Sequence, residues 1–169
     1  MLILIDGVDC TYKSTVTQKV SEKLNIPWIK GSSFQLSNCS NEELFSHFKE
    51  QTELDNMIIE RTIYSNQTYA TIYEDYAILT DEQRHYIEDK LKNKAIVYYL
   101  FANDEVIKDR IRKRGDDYVD VTMVGRINKL FAKNIAKSPL KVIYYDTAEW
   151  TSSQIAEDII NEYTHQQVK

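Results

Sequence analysis

The stretch Asp6-Gly7-Val8-Asp9-Cys10-Thr11-Tyr12-Lys13-Ser14-Thr15 follows the apolar run Met1-Leu2-Ile3-Leu4-Ile5 and precedes a segment with helical spacing. It therefore lies where a strand turns into a helix. Set against the phosphate-binding pattern G-x-x-x-x-G-K-[ST], it supplies Gly7, Lys13 and Ser14, with Tyr12 where the second glycine would stand. The chemistry of that pattern is an anion site. Successive backbone N–H groups wrap a polyphosphate, the helix N-terminus adds positive potential, Lys13 adds a full charge, and Ser14 offers an oxygen to magnesium. A strand–turn–helix that merely carries a lysine is the plain alternative.

At 169 residues the chain is long enough for one domain with a sizeable core, residues 1–169, and too short to expect two. No apolar run approaches the roughly 18 residues of a membrane helix, and the N-terminal run is too short for a secretory signal, so a cytoplasmic protein away from membranes is expected. A formal net charge of −5 argues against broad binding to nucleic acid or an anionic membrane surface. Any phosphate binding must be local. Cys10 and Cys39 form no C-x-x-C pair, which leaves free thiols as the expected state.

Moving outward, Val16, Val20 and Leu24 recur at four-residue steps and predict a helix that stops near Asn25 and Pro27. Ile26–Ile29 reads as a second strand, Asn56–Glu60 as a third, Ala95–Ala102 as a fourth and Lys141–Asp146 as a fifth. The fourth is apolar throughout, as in a strand buried on both faces of a parallel sheet. Between them lie helices opened by Ser40-x-x-Glu43, Thr80-x-x-Gln83 and Thr151-x-x-Gln154, by Asn103 or Asp104, and helical stretches over 62–77 and 121–137. Tyr69, Tyr73 and Tyr76 share a face of the 62–77 helix, a spacing more often found in a core than at a ligand. Alternating strands and helices predict an α/β fold with a five-stranded parallel sheet and helices on both faces. Ligands bind such sheets at the carboxyl ends of the strands, where Asp6, Glu60 and Asp146 fall.

Phosphoryl transfer is mainly positioning and charge neutralisation, and the sequence carries a candidate for each part. Glu60-Arg61 puts a carboxylate and a guanidinium at the end of the third strand, although a structural ion pair would use the same residues. Lys108, Arg110, Arg112, Lys113 and Arg114 crowd into seven residues before Gly115, followed by Asp116, Asp117 and Asp120. On a helix Arg110 and Arg114 share one face. The neighbouring acids favour a mobile flap over phosphates, a lid at about 113–121, over a nucleic-acid patch. Asn128-Lys129 is followed by Leu130-Phe131 and so lacks the acid of a guanine-reading N-K-x-D.

With these residues the chain resembles the P-loop nucleoside and nucleotide kinases. Asp6–Thr15 is similar to the thymidylate kinase phosphate loop, in which an acid at the position of Asp9 is typical. Glu60-Arg61-Thr62-Ile63-Tyr64-Ser65-Asn66-Gln67-Thr68-Tyr69 is similar both to that family's Asp-Arg segment, through Ser65 and Tyr69, and to the Glu-Arg-Ser segment of deoxynucleoside kinases, through Tyr64 and Ser65. The helix ending at Arg114-Gly115 looks like their arginine-bearing lid, and the turn after Asp146 stands where these kinases hold adenine.

The resemblance implies a three-layer P-loop kinase fold and a phosphotransferase that moves the ATP γ-phosphoryl group, with Mg2+, to a nucleoside monophosphate or deoxynucleoside. It implies that Gly7, Asp9, Cys10, Thr11, Tyr12, Lys13, Ser14 and Thr15 surround the donor phosphates. Ser14 and Glu60 would hold the metal. Lys13, Glu60, Arg61, Arg110 and Arg114 would carry catalysis, with Arg112 a further lid cation, and Asp9, Arg61, Tyr64, Ser65 and Tyr69 would receive the acceptor. The expected partner is a small-molecule nucleoside or nucleotide, and the resemblance allows a homodimer. Tyr12 departs from the family: if its position requires φ > 0, a bulky residue costs roughly 1–3 kcal/mol of strain. A nucleotide-binding protein with impaired catalysis is therefore the alternative. After the second strand, Lys30-Gly31-Ser32-Ser33-Phe34 lacks the Glu-x-x-Trp of deoxynucleoside kinases, and Asn66-Gln67 replaces their Asp-Arg, which tilts the acceptor toward a monophosphate.

Overall fold

In the computed structural model, which describes residues 1–32, 36–115 and 119–168, the predicted alternation is realised. The elements are β1 (Leu2–Gly7), α1 (Lys13–Leu24), β2 (Trp28–Lys30), α2 (Asn41–Thr52), β3 (Met57–Glu60), α3 (Ile63–Ile72), α4 (Asp81–Leu91), β4 (Ala95–Phe101), α5 (Asp104–Arg114), α6 (Val124–Ala136), β5 (Lys141–Asp146) and α7 (Ser152–Gln167). All strand pairs are parallel, and the sheet order is β2-β3-β1-β4-β5. β1 thus lies between β3 and β4, and the loops after these strands open at one edge of the sheet.

The apolar runs are explained by burial on both sides. Along β1, Leu2 and Leu4 enter one core with residues of α2, α4 and α6, while Ile3 and Ile5 enter the other with Val16 and Val20 of α1 and Ile155 and Ile159 of α7. β4 divides in the same way, with Val97 and Tyr99 on one face and Ile96, Tyr98 and Leu100 on the other. Each fully buried Leu or Ile contributes about 1.5–3 kcal/mol, so the central strands are the most firmly fixed part of the molecule. The site is built on their ends.

The capping boxes at Ser40/Glu43, Thr80/Gln83 and Thr151/Gln154 form as expected, and Asn103 caps α5 through Val106 N. Gly115 ends α5 with φ 73°, the left-handed conformation that glycine adopts freely. Two helices differ from expectation. α3 stops at Ile72 and not at residue 77, because the Asn66 side chain bonds Ala77 O at 2.8 Å and accepts from Leu79 N, folding the following segment back along the helix. The 121–137 segment begins as a short 3-10 turn, Val121–Met123, capped by Asp120, before α6 starts. Of the expected lid, Asp116 and Asp117 lie outside the described residues.

Candidate active site

The loop after β1 closes on a single carbonyl. Thr11 Oγ1 and Lys13 Nζ both donate to Val8 O, at 2.7 and 2.5 Å. Gly7 is required by space, because a Cβ there would stand 2.1 Å from Leu100 O. Cys10 and Tyr12 turn the loop with φ 60° and 67°. The first turn of α1 has neither a side-chain cap nor an acidic residue, so its N–H groups remain available to an anion. Lys13 is 5% exposed. Burial, followed by the charge of Arg61, depresses its pKa to about 8 against the opposing pull of Asp9, Glu60 and Asp6. Thr15 is exposed beside Ser14 on α1.

Ser14 Oγ donates to Glu60 Oε1 at 3.0 Å, while Glu60 Oε2, fully buried, has no hydrogen-bond partner. An acid oxygen left without a donor is costly unless something cationic meets it, so Ser14 and Glu60 fit a magnesium ion. Among the described residues no group of three or more His, Cys, Asp and Glu side chains gathers as a metal site, here or elsewhere.

Arg61 follows Glu60 with φ 64°, a left-handed conformation that turns its side chain out of the strand direction. Its Nη2 donates to Asp9 Oδ1 at 2.8 Å. Burial raises the Asp9 pKa, but Lys13 and Arg61 outweigh it and hold the carboxyl below its ordinary range. Burial works against the Arg61 charge, but Asp9, Tyr69 and Glu60 prevail, and its pKa is raised. The corner is held by Asp6, which is fully buried: Oδ2 accepts from Thr62 N and Thr62 Oγ1, at 3.0 and 2.5 Å, and Oδ1 from Ser65 Oγ at 2.6 Å.

Beside this pair opens a cavity of about 290 Å³. Asp9, Arg61, Ser65 and Tyr69, four of the five residues that the sequence singles out for an acceptor, line it together with Arg114 at the end of α5. Lys30, Ser32, Asn66, Tyr73 and Tyr76 line it as well. Lys30 could have been suspected from its place at the carboxyl end of β2. The tyrosines shared a face in the sequence, but spacing cannot tell a face turned to a core from one turned to a cavity. Tyr69 stacks on Tyr73, 6.5 Å between centroids, and Tyr73 meets Tyr76 at 5.2 Å. Burial, reinforced by Asp9, raises the pKa of Tyr69 and keeps it a neutral phenol.

A relative 46% identical over 159 residues, which span 94% of this chain and 96% of the relative, is the SPbeta prophage-derived protein YorR of Bacillus subtilis (strain 168). The chain belongs to the YorR family. The crystal structure of Bacillus subtilis YorR in complex with phosphorylated GDP matches with a TM-score of 0.95 at 44% identity, covering 100% of this chain and 99% of that one. More distant structures share the P-loop kinase fold. Deoxyadenosine kinase from M. mycoides with bound dATP has a TM-score of 0.64 at 20% identity, covering 97% and 100% of the two chains. Thymidylate kinase from Candida albicans has 0.61 at 18% identity, covering 98% and 92%. No family profile matches the chain.

In this YorR-family chain several expected residues take other places. Tyr64 does not line that cavity: it is fully buried and donates to Glu88 Oε1 at 3.1 Å, with Ser138 Oγ at 2.5 Å. Arg110 has partners away from the cavity. Its Nη1 donates to Cys10 O at 3.0 Å and Thr147 Oγ1 at 2.7 Å, and its Nη2 to Thr147 O at 2.7 Å. Arg112 is exposed. Asp146 Oδ1 accepts from Ala148 N in its own turn, and Asn128 donates to Ala102 O and Asp104 Oδ1. Neither Cys10 nor Cys39 is in a disulfide, and among the described residues no helix is long and apolar enough to cross a membrane.

Proposed function

We propose that this protein transfers the γ-phosphoryl group of ATP to a nucleoside monophosphate. The observation that carries the reading is the cavity's charge balance. Among the described residues, Lys30, Arg61 and Arg114 line it with one carboxylate, that of Asp9, which bonds Arg61. Such a cavity suits an anionic acceptor better than a neutral nucleoside, which needs a free base at its hydroxyl. Glu60 does not line the cavity; its carboxylate turns toward Ser14. The likeness of the chain to YorR, crystallised with phosphorylated GDP, adds support for a purine nucleotide ligand.

In this reading the loop amides and the α1 N-terminus hold the donor β- and γ-phosphates, and Lys13 exchanges Val8 O for a phosphate oxygen. Ser14 and Glu60 would hold magnesium, which when bound would supply positive charge to the phosphates. Arg61 clamps the acceptor phosphate, and one of its oxygens attacks the γ-phosphorus in line. The bond from that phosphorus to the β–γ bridging oxygen breaks, and the electron pair leaves with ADP. Arg114 neutralises the equatorial oxygens. Tyr69 and Tyr73 supply the aromatic wall for the acceptor base.

The alternative of nucleotide binding without transfer drew on Tyr12. Its backbone is indeed left-handed, φ 67° and ψ 15°, but its ring lies over Arg110, 4.3 Å from the guanidinium carbon, and not over Lys13. That placement leaves the phosphate side of the loop to Lys13 and the amides and favours an active enzyme. A panel of ribo- and deoxynucleoside monophosphates and free nucleosides, assayed with ATP and magnesium, tests both readings. Turnover with a monophosphate is expected. Turnover with nucleosides alone overturns the acceptor class, and no turnover with any acceptor overturns the activity.

A further inference from the structure

We propose that Tyr12 is the residue on which the donor nucleobase stacks, with Arg110 as its pedestal, so that the aromatic side chain in the phosphate loop sets donor preference. The inference rests on the phosphate-loop reading above and extends it to a residue that departs from the loop pattern. Tyr12 directly precedes Lys13, and the residue is 39% exposed. It does not line the large cavity, which is lined by Asp9, Arg61, Tyr69, Tyr73 and Tyr76. It lies instead on the side of α5 and the turn after β5, as its contact with Arg110 shows. A nucleotide whose phosphates sit in the loop, with its acceptor in the cavity, must place its base on this other side.

The surface there is built for stacking. The Arg110 guanidinium commits three of its five in-plane N–H donors to Cys10 O, Thr147 Oγ1 and Thr147 O, which fixes its plane and leaves a face open to the Tyr12 ring. Tyr12 rests on that guanidinium, a cation–π contact that offsets the strain of a left-handed tyrosine. The ring is thereby held in one orientation while still open to solvent. Stacking tolerates any base but grows with ring area, so the arrangement favours purine over pyrimidine triphosphates and separates adenine from guanine weakly.

Equilibrium binding of ATP, CTP and inorganic tripolyphosphate, measured by calorimetry on the natural protein and on Tyr12→Ala, Tyr12→Gly and Tyr12→Phe, tests the assignment. Tripolyphosphate carries the phosphates without the base. Tyr12→Ala and Tyr12→Gly are expected to weaken ATP about tenfold, the scale of one lost stacking contact, and tripolyphosphate less than twofold. Tyr12→Phe, which keeps the ring, retains ATP affinity within about threefold. Glycine accommodates φ 67° without strain and keeps the comparison valid where alanine disturbs folding. Equal weakening of ATP and tripolyphosphate overturns the proposal, because Tyr12 then acts through the loop; so does no weakening of ATP. If the natural protein binds neither, the phosphate-loop reading falls and takes the proposal with it. If it binds both yet transfers nothing, only the catalytic reading falls.

Discussion

Asp9 and Arg61, which lie 52 positions apart in the sequence, meet at 2.8 Å at the mouth of the cavity and set each other's charge. Neither side chain is fully shielded, 21% and 27% exposed, so the pair is worth less than a deeply buried one. Its removal on one side alone leaves an unmatched charge. Arg61→Ala is expected to raise the acceptor KM at least tenfold, while Asp9→Asn/Arg61→Ala recovers part of the stability lost by Arg61→Ala. Urea unfolding of the four proteins in this cycle should give a coupling of about 0.5–2 kcal/mol. A coupling near zero would mean that the two side chains do not support each other.

Lys13 sets a pH dependence for binding and another for stability. A phosphate needs the ammonium form, but in the free protein that form is lost above about pH 8. Nucleotide affinity is therefore expected to fall as pH rises through 8, by up to about tenfold per unit, with proton uptake visible as a buffer-dependent binding enthalpy. For the free protein the sign is opposite. Between about pH 8 and 10.5 the unfolded chain keeps a proton that folded Lys13 has lost, so this group makes stability rise with pH there, and its penalty is complete below pH 8. Lys13→Met should thus stabilise the free protein at pH 7 by about 1–3 kcal/mol while abolishing the thermal shift with ATP. A destabilised Lys13→Met protein would contradict the assignment.

What could be read from the sequence depended on how local its cause was. β4 was legible because every residue of Ala95–Leu100 is buried on one face or the other, and the helix starts were legible because each capping box is closed within four residues. The phosphate loop and Glu60-Arg61 could be found for the same reason: their chemistry follows the chain. The end of α3 was not legible, because it is decided by Asn66 bonding residues eleven and thirteen positions ahead. Tyr64 and Tyr69 looked alike as aromatic members of one segment. Only the packing of α3 on the rest of the protein turns one into the core and the other to the cavity.

Asp6 shows the same limit from the other side. It was recognisable as a strand-end acid, but its work is to hold Thr62 and Ser65, more than fifty positions away, and through them the backbone that presents Arg61. Asp6→Asn would turn an amide N–H toward donors that need an acceptor. An expected loss of about 2–4 kcal/mol in urea unfolding follows, together with reduced transfer through misplacement of Arg61. Asp6→Asn with unchanged stability would show that the corner is held by other bonds.

Tyr64 offers a direct separation of core from cavity. Its hydroxyl donates to Glu88, whose side chain is buried with Oε2 unpartnered. Burial raises the Glu88 pKa, against the lowering influence of Arg84 and of the Tyr64 bond. In the window just above the ordinary carboxylate pKa the folded protein then holds a proton that the unfolded chain releases, so this group costs stability as pH rises. Tyr64→Phe removes one of the groups that favour the ionised form and should push the Glu88 pKa further up. The expected result is a loss of about 1–3 kcal/mol at pH 7 that shrinks toward pH 5, with acceptor KM changed less than twofold. A large rise in acceptor KM with unchanged stability would return Tyr64 to the acceptor site.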